Sequence, residues 1–175
     1  DASPKVVEEV NSGRAPFPGE PGLVEGIQRS LSSGLLRATT DNAEAAKNAD
    51  IIVVIVPMYV DDQGIPDYSI LESVSRDIGS VLHAGQTVIY ETTLPVGATR
   101  SRLAPILTEV SGLKAGHDFH VVHSPERVFS GRVFADLKRY PKIIGGLTPS
   151  CGDIAKDFYQ QVLVFDDRPD LDRLN

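Results

Sequence analysis

One cysteine in 175 residues, Cys151, leaves no partner for an internal disulfide and no thiolate set for a cysteine-based zinc site. No apolar run approaches the roughly 20 residues that a helix needs to cross a bilayer. The basic-then-apolar start of a signal peptide is absent as well. Positive charge is scarce. The 17 basic residues face 24 acidic ones, for a net charge of -7, which argues against the basic stripe of a nucleic-acid-binding surface. There is no internal repeat and no low-complexity segment. These gaps fit a cytoplasmic protein that partners neither membrane nor nucleic acid, and one domain of this length can bury roughly 70% of its unfolded surface.

Two clusters of metal-ligand residue types also lack the needed spacing. His117, His120 and His123 share no carboxylate or cysteine at a useful distance in sequence, and strand alternation sends His120 and His123 to opposite faces. Asp61, Asp62 and Asp67 around Gly64 do not follow the calcium-loop pattern and read as a solvated turn. No metal centre is expected. Cys151 stands near a predicted helix start, where a thiolate is favoured, yet it reads as a small packed residue.

What is present is an alternation of helical and extended segments. Ser3-Pro4 begins a capped helix that Gly13 can end. Pro16, Pro18, Gly19, Pro21 and Gly22 make the next stretch a loop, and Val24, Ile27 and Leu31 give a second helix over 23–31. A short strand is expected over 36–40, and Asp41 caps an Ala-rich helix ending near Asn48. Residues 50–56 are apolar without a break, as a strand covered on both faces must be. Further strands are expected over 87–90, 119–122 and 142–144, with helices after the Asp61–Asp67 loop, over 99–110 and over 149–162. The fold class is therefore α/β, a doubly wound parallel sheet with helical crossovers.

Two of these strands end abruptly in small polar residues. The first runs through Tyr90 into Glu91-Thr92-Thr93-Leu94-Pro95-Val96-Gly97, and the second through Val122 into His123-Ser124-Pro125-Glu126-Arg127. Ligands of open α/β sheets sit outside the carboxyl ends of the strands. The two loops can bring the Thr93 hydroxyl and the Glu126 carboxylate to one crevice, a pair sufficient to hold a water molecule. Thr93 can equally cap the helix that starts near Gly97, and Glu126 can be an ordinary solvated acid.

Taken in order and at their spacing, six segments carry a resemblance. They are Asn11-Ser12-Gly13, Glu20-Pro21-Gly22-Leu23, Thr39-Thr40-Asp41, Thr93-Leu94-Pro95-Val96-Gly97, Ser124-Pro125-Glu126 and Ile143-Ile144-Gly145-Gly146. With these the chain resembles, over essentially its whole length, an internal stretch of the nucleotide-sugar dehydrogenases of the UDP-glucose and UDP-N-acetylmannosamine type. The resemblance implies a Rossmann-like NAD-binding domain, NAD as cofactor and a UDP-sugar as substrate. It also implies a full-length homodimer that oxidises a sugar hydroxymethyl group to a carboxylate in a four-electron reaction.

The same resemblance assigns roles. Asp1 matches the acid that bonds the adenosine ribose, although it can also be a frayed terminus. Pro57 and Tyr59 fall on the loop that lines the adenosine. Met58 and Tyr59 depart there from the family's Pro-Thr-Pro, and Tyr59 reads equally well as a packing residue. Thr93 and Pro95 lie on the nicotinamide side, and Thr93 and Glu126 are the candidate catalytic residues. Glu126, Arg127, Val128 and Phe129 form the loop toward the sugar. Ser-Pro-Glu-Arg-Val with Ser130 lacks the second glutamate of the UDP-glucose subgroup, which favours a UDP-N-acetylhexosamine. The alternatives are a non-catalytic nucleotide-binding module and another Rossmann hydroxyacid dehydrogenase.

No Gly-x-Gly-x-x-Gly occurs. In the family that turn lies between the first two strands of the domain, so the sheet is expected to be incomplete at its N-terminal side, with the central helix and sugar domain lying downstream. The 175 residues alone are then expected to have no dehydrogenase activity.

Overall fold

The computed structural model describes residues 1–164 and, as backbone, Asp172–Leu174. Three helices come first: Pro4–Asn11 (α1), Leu23–Ser32 (α2) and Asn42–Lys47 (α3). Strand Ile51–Val54 (β1) and the short strands Tyr59–Val60 (β2) and Pro66–Asp67 (β3) lead to helix Ser69–Gly79 (α4). Strand Thr87–Tyr90 (β4) precedes a π-helical turn over Thr99–Leu103, which runs into helix Ala104–Ser111 (α5). Strand His120–His123 (β5), helix Val133–Arg139 (α6), strand Ile143–Gly146 (β6), helix Pro149–Val162 (α7) and strand Asp172–Leu174 (β7) complete the order.

Five strands form one sheet in the order β1-β4-β5-β6-β7. β1, β4 and β5 are parallel, with Val54 opposite Tyr90 and Tyr90 opposite His123. Alternation divides their side chains between two apolar layers. Val88, Tyr90 and Val121 pack with Leu71, Ile78, Leu103 and Leu107 of α4, the π-turn and α5. Ile89, Val122 and Ile144 pack with Cys151, Ala155 and Tyr159 of α7. Each fully buried large side chain here is worth about 1.5–3 kcal/mol of transfer free energy, which fixes the register of the strands that carry the loops.

Local chemistry explains the ends of several elements. The Ser3 hydroxyl accepts from Val6 N–H at 3.4 Å, and Asp41 accepts from Glu44 N–H at 2.9 Å. Pro105 has no N–H to return to the preceding turn, and the chain there widens until Ala104 N–H reaches the carbonyl of Thr99.

Four expectations are corrected. The sheet is mixed rather than parallel throughout: β6 runs antiparallel to β5, pairing Gly146 with Val122 and Gly145 with His123. Residues 36–40 form no strand; the Asn11 carboxamide takes the place of a neighbouring strand, donating to Ala38 O at 2.9 Å and accepting from Ala38 N–H at 2.8 Å. The strand expected over 50–56 is shorter, Ile51–Val54, and only one of its faces is well covered: Val54 is buried, whereas Val53 and Ile55 are exposed. The Asp61–Asp67 loop is a hairpin, β2 pairing antiparallel with β3. Helix α6 had no counterpart in the sequence reading.

Candidate functional site

Adjacent parallel strands place the loops after β1, β4 and β5 at one edge of the sheet. The ladder continues past the strand ends. Glu91 N–H donates to Val54 O at 2.9 Å, Ser124 N–H to Tyr90 O at 2.9 Å and Glu126 N–H to Glu91 O at 2.9 Å. Side chains add two further ties: the Thr92 hydroxyl donates to Val56 O at 2.6 Å, and His123 Nε2 lies 3.2 Å from Thr92 O. The peptide backbones that present Thr93 and Glu126 are thus bound to each other and to β1.

Thr93 is exposed at this edge, and no side chain caps the π-turn that begins at Thr99; the hydroxyl with a structural hydrogen bond is that of the half-buried Thr92. Glu126 is exposed as well, with Oε2 accepting from Val128 N–H at 3.0 Å. Both residues therefore stand at the same end of the sheet. Glu126, Arg127, Val128, Phe129 and Tyr140 line a cleft of about 480 Å³, and Thr93 is not among its lining residues.

In that cleft Arg127 donates to Pro141 O at 3.3 Å, and its guanidinium stands 5.9 Å from the Tyr140 ring centroid. Phe129 is exposed on its far side, with the Arg132 guanidinium 4.8 Å from its ring. The buried Asp136 carboxylate accepts from Phe129 N–H at 3.0 Å and from Arg132 Nε at 3.1 Å, which fixes the loop between Glu126 and α6. Arg127, Phe129 and Tyr140 together offer a cation and two rings to a polar, partly planar ligand.

The other sequence-singled residues are spread along the edge and the N-terminal segment. Pro57, Tyr59 and Pro95 are exposed, Tyr59 on the β2–β3 hairpin. Gly97 has φ +85°, and a Cβ there would meet nothing within 4 Å, so the backbone beside Pro95 is open to a ligand. An exposed hydroxyl beside such an open backbone suits one flat face of a dinucleotide. Asp1 Oδ1 accepts from Ser3 N–H at 2.8 Å at the start of α1.

Three residues beneath the edge were assigned no role in the sequence reading: the half-buried Glu91 and the buried Lys142 and Tyr159. Lys142 Nζ lies 2.8 Å from Glu91 Oε1, and the Tyr159 hydroxyl donates to that same oxygen. Desolvation, and then the Glu91 carboxylate, push the Tyr159 phenol well above its usual range, so it stays protonated and acts as a donor. A lysine opening the apolar run before Ile143 was the only available signal. Glu20, noted in the sequence only as part of a motif, has a structural role: its carboxylate accepts from Val133 N–H at 3.0 Å and Phe134 N–H at 3.2 Å, capping α6 from more than a hundred residues away.

Comparison with known proteins places the chain in a family. The model of the UDP-glucose/GDP-mannose dehydrogenase family, NAD binding domain, matches residues 1–163. A UDP-N-acetyl-D-mannosamine dehydrogenase of Pyrococcus horikoshii is 36% identical over 162 residues, covering 91% of this chain and 37% of that protein. A solved structure of the UDP-N-acetylmannosamine dehydrogenase from Pyrococcus horikoshii superposes with a TM-score of 0.90 at 32% identity, over 100% of this chain and 40% of that one. A ternary complex of GDP-mannose dehydrogenase from Pseudomonas aeruginosa gives a TM-score of 0.89 at 28% identity, over 99% and 39% respectively. The chain thus spans about two-fifths of the length of these relatives. With its Rossmann-like sheet and its laced carboxyl-edge loops, the chain belongs to the UDP-glucose/GDP-mannose dehydrogenase family and corresponds to its NAD-binding domain.

Proposed function

We propose that the full-length protein oxidises the C6 hydroxymethyl group of a nucleotide sugar to a carboxylate, with a UDP-N-acetylhexosamine as the preferred substrate. Per sugar, one water supplies the second oxygen and two NAD are reduced. Bound NAD supplies the hydride acceptor; everything else falls to protein groups. Thr93 and Pro95 present the nicotinamide side, with Pro57 and Tyr59 toward the adenosine and Asp1 toward its ribose. Glu126 acts as the base that takes up a proton from the substrate hydroxyl or from water, a role worth about 10²–10⁴-fold in rate. Arg127, Val128 and Phe129 hold the sugar nucleotide.

The observation that supports this reading best is the pair of backbone bonds joining the two loops, Ser124 N–H to Tyr90 O and Glu126 N–H to Glu91 O. They bring a hydroxyl-bearing and a carboxylate-bearing loop to one edge, where ligands of such sheets bind. The preference for an acetamido sugar rests on the resemblance: Arg127 and Ser130 stand where the UDP-glucose subgroup has an aromatic residue and a second glutamate.

The test is steady-state NADH formation by the full-length protein with UDP-N-acetylmannosamine, UDP-N-acetylglucosamine, UDP-glucose and GDP-mannose. The expected result is two NADH per sugar, a higher kcat/KM with an acetamido sugar, and loss of about 100-fold or more in Glu126→Gln. A single NADH per sugar, or Glu126→Gln at wild-type rate, refutes the proposal. A higher kcat/KM with GDP-mannose or UDP-glucose refutes the substrate preference alone.

A further inference from the structure

The chemistry above leaves the charged groups under the edge unused. Lys142 and Glu91 have side chains only 7% and 15% exposed. Their ion pair lies under the junction of β4, β5 and β6, with Lys142 Nζ 4.8 Å from the Tyr159 ring centroid. Burying such a pair is a poor route to stability, because well-packed apolar residues of similar volume often do as well or better. What a fully hydrogen-bonded charge cluster does supply is one geometry in place of several.

The backbone partners of this cluster are the parts that matter to the site. Glu91 is the residue whose carbonyl accepts from Glu126 N–H, and it precedes Thr93 by two positions. Ser124, fully buried, donates its hydroxyl at 2.7 Å to the carbonyl of Ile143, the neighbour of Lys142. A displacement of the Glu91 side chain therefore moves the strand end carrying Thr93 and the acceptor that holds Glu126. A displacement of Lys142 moves the acceptor that holds Ser124, two residues before Glu126.

We propose that Glu91, Lys142 and Tyr159 are positioning residues, a buried clamp that sets the separation of the Thr93 and Glu126 loops. The inference rests on the proposed function for its catalytic meaning, but its physical content is independent of turnover. Lys142→Met leaves the Glu91 carboxylate buried without its cation. Tyr159→Phe removes one hydroxyl and little volume. Ile144→Val shortens a fully buried neighbour that packs in the same layer as Tyr159 and has no polar side-chain atom.

Hydrogen exchange by mass spectrometry on the full-length protein, run beside kinetics, tests the clamp. In Lys142→Met, peptides covering 91–97 and 124–129 are expected to exchange about tenfold faster while residues 87–90 stay protected, because local openings have their own free energies. The kcat is expected to drop about 100-fold with KM for NAD nearly unchanged, as misplacement of catalytic groups by about 1 Å does. Lys142→Arg should restore both, and Ile144→Val should disturb neither. If Lys142→Met does not fold, Tyr159→Phe carries the test, with the same pattern at smaller amplitude. Wild-type loop exchange in these variants, an equal effect in Ile144→Val, or loosened loops with an unchanged kcat overturns the clamp. A wild-type protein that forms no NADH overturns the proposed reaction instead, and the exchange pattern alone then decides for or against the clamp.

Discussion

Replacing Glu20 with alanine removes the cap of α6 and nothing else of comparable weight. The helix begins at Val133 after Arg132, whose backbone (φ -148°, ψ 27°) provides no side-chain cap of its own. Both Glu20 oxygens are engaged, Oε2 with Val133 N–H and Oε1 with Phe134 N–H. A hydrogen bond to a charged group contributes about 1.5–3 kcal/mol when shielded from water. Here the Val133 amide is half-buried and the Phe134 amide exposed. The sum is therefore placed nearer the loss of a single good cap, about 2 kcal/mol. Because each 1.4 kcal/mol is a factor of ten, amide exchange in α6 should accelerate by about 30-fold.

The effect should stay local. Residues 87–90 are buried at every position and owe nothing to Glu20, so their exchange should not change. Glu20→Gln retains one carbonyl oxygen without charge and should show about half the free-energy loss. Tyr140, immediately after α6, lines the Glu126 cleft, so under the proposed function KM for the sugar nucleotide should rise more than kcat falls. Wild-type exchange of the Val133 and Phe134 amides in Glu20→Ala would refute the reasoning, since water would then be shown to replace the carboxylate at no cost.

Two shorter predictions rest on other features. In Gly146→Ala the new Cβ would lie 2.4 Å from Gly152 N and 2.5 Å from Thr148 O, backbone atoms at the start of α7 that cannot step aside as a side chain tip can. A loss of about 3 kcal/mol is expected, read as a lower urea midpoint, and a loss under about 1 kcal/mol would show that α7 shifts freely on β6. Burial holds the His120 imidazole below its ordinary value of 6.5, beside the Cys151 thiol 3.7 Å from Nδ1. A depressed histidine takes up its proton more readily when unfolded. Its contribution is therefore full above the unfolded value near 6.5 and is lost as pH falls through the lower folded value. The urea midpoint of the wild type should drop more steeply below pH 6.5 than that of His120→Asn, and parallel profiles would contradict it.

Much of the fold was legible in apolar patterning, although the unbroken run over 50–56 belongs to a strand with one exposed face. β4, buried at all positions, matches the expected 87–90 to the residue, and α7 matches 149–162, with Thr148 as its cap. The failures share one cause, information that is not local. α6 is short, and its cap comes from Glu20, so neither periodicity nor a capping residue announced it. Residues 36–40 have strand composition, but their backbone partners are scattered: the Asn11 side chain for Ala38, the Ser30 carbonyl for Leu36 N–H and the Asp1 amino group for Thr39 O. The direction of β6 was misjudged because alternation specifies which face a residue occupies and says nothing about which way the strand runs.

The candidate site divides along the same line. Thr93 and Glu126 were visible as polar residues directly after apolar strands, and both are exposed at the edge where they were expected. Glu91, Lys142 and Tyr159 come from the end of β4, the approach to β6 and the middle of α7, and only the folded chain brings them within hydrogen-bonding reach. That division has a physical consequence. An exposed side chain holds its own loop only weakly, as Glu126 does through Val128 N–H, so most of the anchoring passes to the backbone ladder beyond the strand ends and to the charges behind it. Substituting Thr93 or Glu126 should therefore alter chemistry with little change in stability. Substituting Lys142 should cost both, because breaking one side of a buried pair leaves the other uncompensated, at about 3–5 kcal/mol for full burial and less where, as for Glu91, water retains some access.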